Sequence, residues 1–560
     1  MKVFLVNPAC LDQRIDDEDS SSVSMGLFYL GAFLKEKNIN VRIVNLADGN
    51  APASYFTDLL KKEKPDLVGV SVLNSTRFSA MEAVSQAKEI DPCVKTVFGG
   101  VGATFLVNHF FSACPFLDYI VKGEGELTFF ELLEYIESGD ACFPDHVKGL
   151  AFKRDGKICE TKKRELIKDL DSLPKPGKYF DLQHLSLSRG CPGNCTFCGS
   201  PAFWGRANVR FHSHRWFVDH IELLIKRGFH HFYVSDDTFT MDKKRVSKVC
   251  DEIIARGLDI TWVAISRVDF LDHEILFKMR MAGCTQISFG VESGSEQIRK
   301  ILGKPVKKER IIKAFNMTVS HGILTRAYFI YGSPEESEET IAQTMELITS
   351  IKPLGALFYM LVLFPGTALY QRLIKRGEIN DDIWNEKIED IPWFQLDNDL
   401  DFEKIRDFGE RLRNSFYSNL SEFADKIDLM DIKELYPCHA DFLSRLAMTF
   451  SHGDYARNRD VKNSIATAEK LYNRALSYCH NARAYLGLGM LKQKKREFSK
   501  AVTILETGLQ YFSEDKDLNI CMAVCLMNLG RFKQALNYLE KFESHVDVEP
   551  YIKACRERGV

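Results

Sequence analysis

Between His184 and about Pro365 the sequence repeats a strand-then-helix pattern six times, and this regularity limits the fold more than any other feature. The predicted strands are His184–Ser188, His231–Ser235, Thr261–Ser266, Gln286–Val291, Thr325–Tyr331 and Leu357–Leu363. Each is of strand length, and the stretches between them are long enough for crossover helices. Such a chain makes parallel strands with right-handed crossovers, and six units give an incomplete, TIM-like (β/α)6 barrel. Its active site is expected at the carboxyl ends of the strands.

The residues before this region alternate in the same way. Apolar runs at Lys2–Val6, Val41–Val44, Leu67–Val72, Val94–Phe98 and Tyr119–Val121 are separated by helical stretches such as Gly26–Lys37 and Ser79–Glu89. That is the signature of an α/β unit with a doubly wound parallel sheet. Val147 to Lys162 reads as a hairpin turning at Asp155-Gly156, and Pro174 and Pro176 mark a linker. After Trp384 the pattern is helical. Ala468, Ala501 and Ala535 recur 33 and 34 residues apart in similar settings, which resembles the tetratricopeptide period. The expected organisation is an N-terminal sheet domain at 1–140, a hairpin and linker at 141–180, the barrel core at 181–395, a helical linker at 396–455, and an α-helical repeat domain at 456–560.

Composition excludes several classes. The 560 residues carry a net charge of -3, from 74 basic and 77 acidic side chains, which is no electrostatic footprint for a nucleic acid. The longest apolar stretches, such as Ala356 to Pro365, are about ten residues, too short for a membrane span. The N-terminus enters a strand directly, without signal-peptide architecture. Fifteen cysteines without a dense short framework suit a reducing cytoplasm, where clustered cysteines tend to be metal ligands.

One such cluster follows the first barrel strand: Arg189-Gly190-Cys191-Pro192-Gly193-Asn194-Cys195-Thr196-Phe197-Cys198. Three thiolates at this spacing can each ligate one iron of a 4Fe–4S cube and leave the fourth iron open for a substrate. A zinc site completed by His212 or His214 is the alternative. From 184 to 365 the sequence resembles the radical S-adenosylmethionine (SAM) superfamily, through this motif and several strand ends. The resemblance implies that Cys191, Cys195 and Cys198 hold the cluster and that Phe197 lies near the adenine. It places Asp236 and Asp237, in Tyr233-Val234-Ser235-Asp236-Asp237-Thr238, near the methionine amino group, although these two could instead cap the helix Lys243–Ile254. Arg267 is expected to pair with the methionine carboxylate and Glu292, in Ser288–Ser295, to reach ribose or methionine groups. Ile330 and Gly332 belong to an adenine motif, altered here because Glu335 stands where a second glycine is common. The implied reaction is one-electron cleavage of SAM, giving a radical that abstracts hydrogen from an unactivated carbon, and it requires exclusion of oxygen.

Residues 1 to about 130 resemble the cobalamin-binding domain that precedes this barrel in one radical SAM subclass. The matching residues are Asn7-Pro8, Met25-Gly26-Leu27-Phe28-Tyr29-Leu30, Gly69-Val70-Ser71, Phe98-Gly99-Gly100 and Gly123-Glu124-Gly125-Glu126. The resemblance implies that Asn7, Met25, Gly26, Ser71, Gly99, Gly100, Gly123 and Glu124 contact cobalamin, with Gly99, Gly100 and Gly102 allowing close backbone approach. Asp-x-His-x-x-Gly is absent, so no histidine of that motif would coordinate cobalt from below. The implied enzyme methylates, cyclises or rearranges an unactivated carbon of a small molecule, with a flavodoxin or ferredoxin as electron donor and the helical repeats open to a protein partner. Two alternatives stand beside it. One is a methylthiotransferase-like enzyme with a second cluster on Cys10, Cys93 and Cys114; the other is a non-catalytic sensor or scaffold.

Overall fold

The computed structural model describes residues 1–11, 22–48, 51–52, 54–139, 142–206, 208–397 and 399–558. Its first sheet is built from β1 (Lys2–Asn7), β2 (Asn40–Asn45), β3 (Leu67–Ser71), β4 (Lys95–Gly99), β5 (Tyr119–Val121), β6 (Leu150–Arg154) and β7 (Lys157–Glu160), in the order β2-β1-β3-β4-β5-β6-β7. Alternate residues of each strand enter opposite cores. Leu5, Val97 and Phe129 pack on one face, and Phe4, Val6, Val68 and Phe98 on the other, so helices cover both sides. The sheet is mixed rather than wholly parallel. β6 pairs antiparallel with β5, and β7 antiparallel with β6. The hairpin attaches here because Leu150, Ala151 and Phe152 are apolar and cover the edge of β5. Its turn has Asp155 at φ 50° and Gly156 at φ 75°, the left-handed pair a two-residue hairpin requires.

The second sheet is all parallel. β8 (His184–Leu185), β11 (His231–Val234), β12 (Thr261–Ser266), β13 (Cys284–Glu292), β14 (Leu324–Tyr331) and β15 (Gly355–Met360) follow the order β15-β14-β13-β12-β11-β8. Phe289 packs on Phe315, and Phe358 on Phe329 and Phe416, so these rings define the helix-covered face. Two expectations are corrected here. The run His184–Ser188 is not one strand: β9 (Ser188–Arg189) leaves the sheet and pairs antiparallel with β10 (Arg210–Phe211). The sixth strand ends at Met360, because beyond it Val362 bridges to Pro392 and Leu363 N–H bonds to the Ile391 carbonyl (2.8 Å).

From residue 402 the chain is helical. Helix Phe402–Asp425 lies on the second sheet through Phe416, and further helices run from Tyr436–Ser451 to Glu549–Arg558. Ala468, Ala501 and Ala535 are all fully buried, each in a helix of this bundle. Among the described residues no helix is long and apolar enough to cross a membrane.

Candidate active site

The cysteine loop begins where β9 ends. Gly190 has φ 107°, and a Cβ there would stand 2.7 Å from the Asn208 carbonyl oxygen, so only glycine makes this turn. Cys191, Cys195 and Cys198 are half-buried free thiols. Cys191 and Cys195 face Gly193, whose absent Cβ would lie 3.3 Å from Cys191 Sγ, 3.9 Å from Cys195 Sγ and 3.2 Å from Arg267 Nη1. The Gly193 N–H points at Cys191 Sγ (3.3 Å) and the Thr238 hydroxyl lies 3.4 Å from it. Burial pushes the Cys195 thiol up, while the cations Lys304 and Arg267 pull it down; burial pushes Cys198 to about 11. Thiols, inward amides and flanking cations form a donor set that fits an anionic thiolate cluster.

Outside supports hold the loop. Thr196 N–H donates to the Leu302 carbonyl (2.9 Å), its hydroxyl to Ile301 (3.1 Å), and its own carbonyl accepts from Leu369 N–H (2.8 Å). Gly303, at φ 71°, lets the chain pass under the loop; a Cβ there would be 2.7 Å from the Asn194 oxygen and 3.3 Å from Cys195 Cα. Gly303→Ala is therefore expected to cost about 1–3 kcal/mol through backbone strain and crowding. It should also lower the iron retained after reconstitution, measured by iron assay beside a thermal melt.

Neither histidine of the zinc alternative reaches the thiols through any bond it makes. His212 is buried against Trp216 (ring centroids 3.6 Å apart) and contacts Asp171, and His214 faces Glu252. Among the described residues no three His, Cys, Asp or Glu side chains converge on a point for a single ion. Cys93 is exposed before β4, Cys114 is buried at the end of helix Val107–Ala113, and Cys10 is half-buried after β1.

The other strand-end residues lie around this loop. Glu292 ends β13 at φ 67° and, buried, accepts from Lys304 Nζ (2.7 Å). Gly290 leaves room for that pair, since a Cβ there would collide with both Glu292 Oε1 and Lys304 Nζ. Arg267 donates to Asp269 (2.8 Å) with its other nitrogen toward Gly193. Asp236 turns away from the strand end: its carboxylate accepts from Leu187 N–H (2.9 Å) and the Ser188 hydroxyl, and burial pushes it up to about 7. Asp237 stays exposed and accepts from Ser200 Oγ (2.5 Å). The following helix is capped by Asp242, not by either of them. Phe197 and Ile330 pack against one apolar cluster with Leu302 and Leu361. The Gly332 N–H is held by the buried Glu336, and Glu335 adopts φ 63°, a conformation that favours glycine.

A cavity of about 310 Å³ lies between the carboxyl ends of β3, β4 and β5 and the residues Ser186, Ser188, Arg189, Gly190, Ser235 and Asp237. Met25, Gly26, Ser71, Gly99, Gly100, Gly123 and Glu124 all line it. Asn7 does not; its amide donates to Asn45 (2.9 Å) and its oxygen accepts from Ser24 N–H (3.1 Å), fixing the start of helix Met25–Glu36. The two glycine positions differ in meaning. A Cβ on Gly100 would meet Val72 and Ser71 at 3.1–3.3 Å, so the neighbouring turn requires that glycine, whereas Gly123, at φ 75°, has nothing within 4 Å. The Glu124 carboxylate is occupied by Arg189, Arg210 and the Ile167 N–H. Sequence reasoning missed Lys304, Arg189, Tyr29, Phe203 and Trp204. Tyr29 and Arg189 lay inside motifs already singled out, while Lys304 carried no signal except its place after Gly303.

Residues 185–348 match the Radical SAM superfamily, and residues 20–133 match the B12 binding domain. An uncharacterized methyltransferase of Pyrococcus horikoshii is 30% identical over 434 residues, covering 74% of this chain and 92% of that protein. The chain belongs to the cobalamin-binding radical SAM superfamily. It is thus a cobalamin-dependent radical SAM enzyme, with a 4Fe–4S cluster, SAM and cobalamin as its cofactors. The anaerobic magnesium-protoporphyrin IX monomethyl ester cyclase of Rubrivivax gelatinosus is 28% identical over 373 residues, 63% of this radical SAM chain and 66% of the cyclase. The fold is shared with the cobalamin-dependent radical enzyme OxsB bound to aqua-cobalamin, at a TM-score of 0.58 and 17% identity over 99% of this chain and 84% of that one. It is also shared with the methyltransferase TsrM from Kitasatospora setae, at a TM-score of 0.57 and 18% identity, covering 67% and 78%.

Proposed function

We propose that Cys191, Cys195 and Cys198 carry the 4Fe–4S cluster, that the cavity at β3–β5 receives cobalamin, and that the enzyme methylates or cyclises an unactivated carbon of a small molecule. One observation carries this reading: a single cavity is bounded on one side by the strand ends of the first sheet and on the other by Arg189-Gly190, next to Cys191. When bound, the cluster supplies the electron that cleaves SAM and cobalamin supplies a methyl or redox carrier. The chain's own residues position and exclude water. Arg267 offers a guanidinium nitrogen beside the cysteine loop for a carboxylate, and Glu292, fixed by Lys304, offers an acceptor for amino or hydroxyl groups. Phe197 and Ile330 give an apolar wall for a purine.

Relatives named as a methyltransferase and as a cyclase support both outcomes, and the cyclase's name, a magnesium-protoporphyrin ester cyclase, supports a small-molecule substrate. The six-stranded sheet supports a partial TIM-like barrel, and the alanine period supports tetratricopeptide-like repeats for a protein partner. The reducing electron would come from a flavodoxin or ferredoxin in a reducing cytoplasm. The test is direct: chemically reduced, cluster-loaded protein should turn over SAM under anaerobic conditions. Arg267→Ala and Glu292→Ala should keep the cluster yet each lose a charge-assisted hydrogen bond of about 1.5–3 kcal/mol, roughly ten- to a hundredfold in SAM affinity. Unchanged SAM affinity in both variants would refute these site roles, and absence of turnover would refute the activity.

A further inference from the structure

Four buried charges join the cavity to the cysteine loop. Glu124 and Glu126 follow Gly123 at the exit of β5, and Arg189 and Arg210 stand opposite each other across β9 and β10. Arg189 donates to Glu124 and to Glu126, both at 2.7 Å, so its fork spans the two acids. Arg210 donates to both oxygens of Glu124 (2.8 and 2.9 Å) and to the Ile167 carbonyl (2.7 Å). The side chains are 3–12% exposed. The Arg189 guanidinium also lies over the Tyr29 ring, 5.0 Å from its centroid. Glu124, Glu126, Tyr29 and Arg189 all line the cavity, and only Gly190 separates Arg189 from Cys191.

A buried set of two acids and two guanidinium groups tolerates little misplacement, because each charge has lost its water and depends on its partners. Moving the ribbon β9–β10 away from the Gly123–Glu126 turn would leave desolvated charges unpaired. The turn and the start of the cysteine loop therefore hold one relative register. We infer that Glu124, Glu126, Arg189 and Arg210 are positioning residues that couple corrinoid occupancy of the cavity to cluster assembly in the Cys191–Cys198 loop. This rests on the proposed function, since it takes the cavity as the corrinoid site. A corrinoid that orders the cavity wall orders Arg189, and Arg189 sets the path into Cys191. Linkage makes the effect reciprocal: the assembled cluster must strengthen corrinoid binding by the same factor.

The experiment measures hydroxocobalamin affinity of the full chain, anaerobically, before and after iron–sulfur reconstitution. The cluster-loaded protein should bind about tenfold more tightly, within the usual range for coupled sites. Glu126→Gln keeps the shape of the side chain but removes one charge of the network, and should shrink that ratio to about twofold or less. Arg189→Lys, which keeps the charge but loses the fork, should lie between wild type and Glu126→Gln. The reduced cluster's electron paramagnetic resonance signal should shift on adding hydroxocobalamin to wild type, and shift less in Glu126→Gln. A purely structural role would lower both affinities together and leave their ratio intact, which would overturn the coupling. Equal affinities in wild type with and without the cluster would overturn it even if the variants fail to fold. Absence of hydroxocobalamin binding in either form would overturn the cavity reading itself, and the coupling with it.

Discussion

Cys195→Ala is expected to abolish SAM turnover and to leave the protein folded. Cys195 sits at the centre of the loop, with its Sγ near the space left by Gly193 and the cations Arg267 and Lys304 acting on it. A cube held by three thiolates loses a whole corner when one is removed, and no other described side chain in the loop offers a soft ligand in its place. The expected result is a fall from about four irons per chain to below one, with loss of absorption near ~400 nm. SAM cleavage should drop to background. The half-exposed thiol contributes little packing, so the melting temperature before reconstitution should stay close to wild type. Cys479→Ala, in the helical region, is the matched control and should change neither iron nor turnover. SAM cleavage within tenfold of wild type in Cys195→Ala would remove this cysteine from the site.

Arg77→Met should be the most damaging substitution away from the cofactors. Arg77 is fully buried at the start of helix Arg77–Ile90, and its guanidinium donates to five backbone carbonyls. These are Asn74 (2.6 Å), Trp384 (2.9 Å), Glu386 (2.8 Å), Ile388 (2.6 Å) and Glu389 (2.7 Å). The neighbouring Asn74 amide donates to Asp390 (2.7 Å). One side chain of the first domain thus clamps the segment that runs back beside Val362 and Leu363 at the end of the second sheet. Methionine fills part of the volume but leaves those carbonyls without a donor in a dry environment. Loss of a buried charge-assisted network costs about 3–5 kcal/mol, so the apparent melting temperature should fall by on the order of 10 °C at a fixed scan rate. Limited proteolysis should then cut first near 384–390. Arg77→Lys should fall between the two, because an ammonium has three donors for five acceptors. A melting temperature within about 1 °C of wild type would show that the clamp contributes nothing.

The sequence exposed most of the architecture because its signals are local. Apolar runs located β1 to β5 and β11 to β15 to within a few residues, and Asp155-Gly156 located the hairpin turn. What the runs could not show is which partner an apolar strand chooses. Leu150–Phe152 looked like a free hairpin until β5 was seen to need an edge. His184–Ser188 looked like one strand because Leu185 and Leu187 alternate with polar residues at the strand period, yet Asp236, 48 and 49 residues further on, accepts from Ser188 and Leu187 at the point where the chain turns off the sheet. The cysteine loop was legible from spacing alone, whereas its supports were not. Gly303 and Lys304 reach Cys195 and Glu292 only through the fold, and no periodicity records that. Asn7 is a motif residue whose side chain fixes the neighbouring turn, and Gly100 serves both its turn and the cavity wall. Glu124, singled out for a cofactor, lines the cavity with its carboxylate on Arg189 and Arg210.

One cluster loop and one corrinoid cavity are proposed to share this chain. The most direct measurement is a count of iron and cobalt on protein expressed with hydroxocobalamin and reconstituted anaerobically, taken to stoichiometry after gel filtration. That arrangement predicts about four irons and close to one cobalt per chain, with the iron lost and the cobalt held more weakly in Cys195→Ala. It also predicts that Ser71→Trp, at the end of β3 on the cavity wall, loses cobalt and retains most of its iron. About eight irons and no cobalt, sensitive to Cys10, Cys93 and Cys114, would contradict it and identify a second cluster in place of the corrinoid.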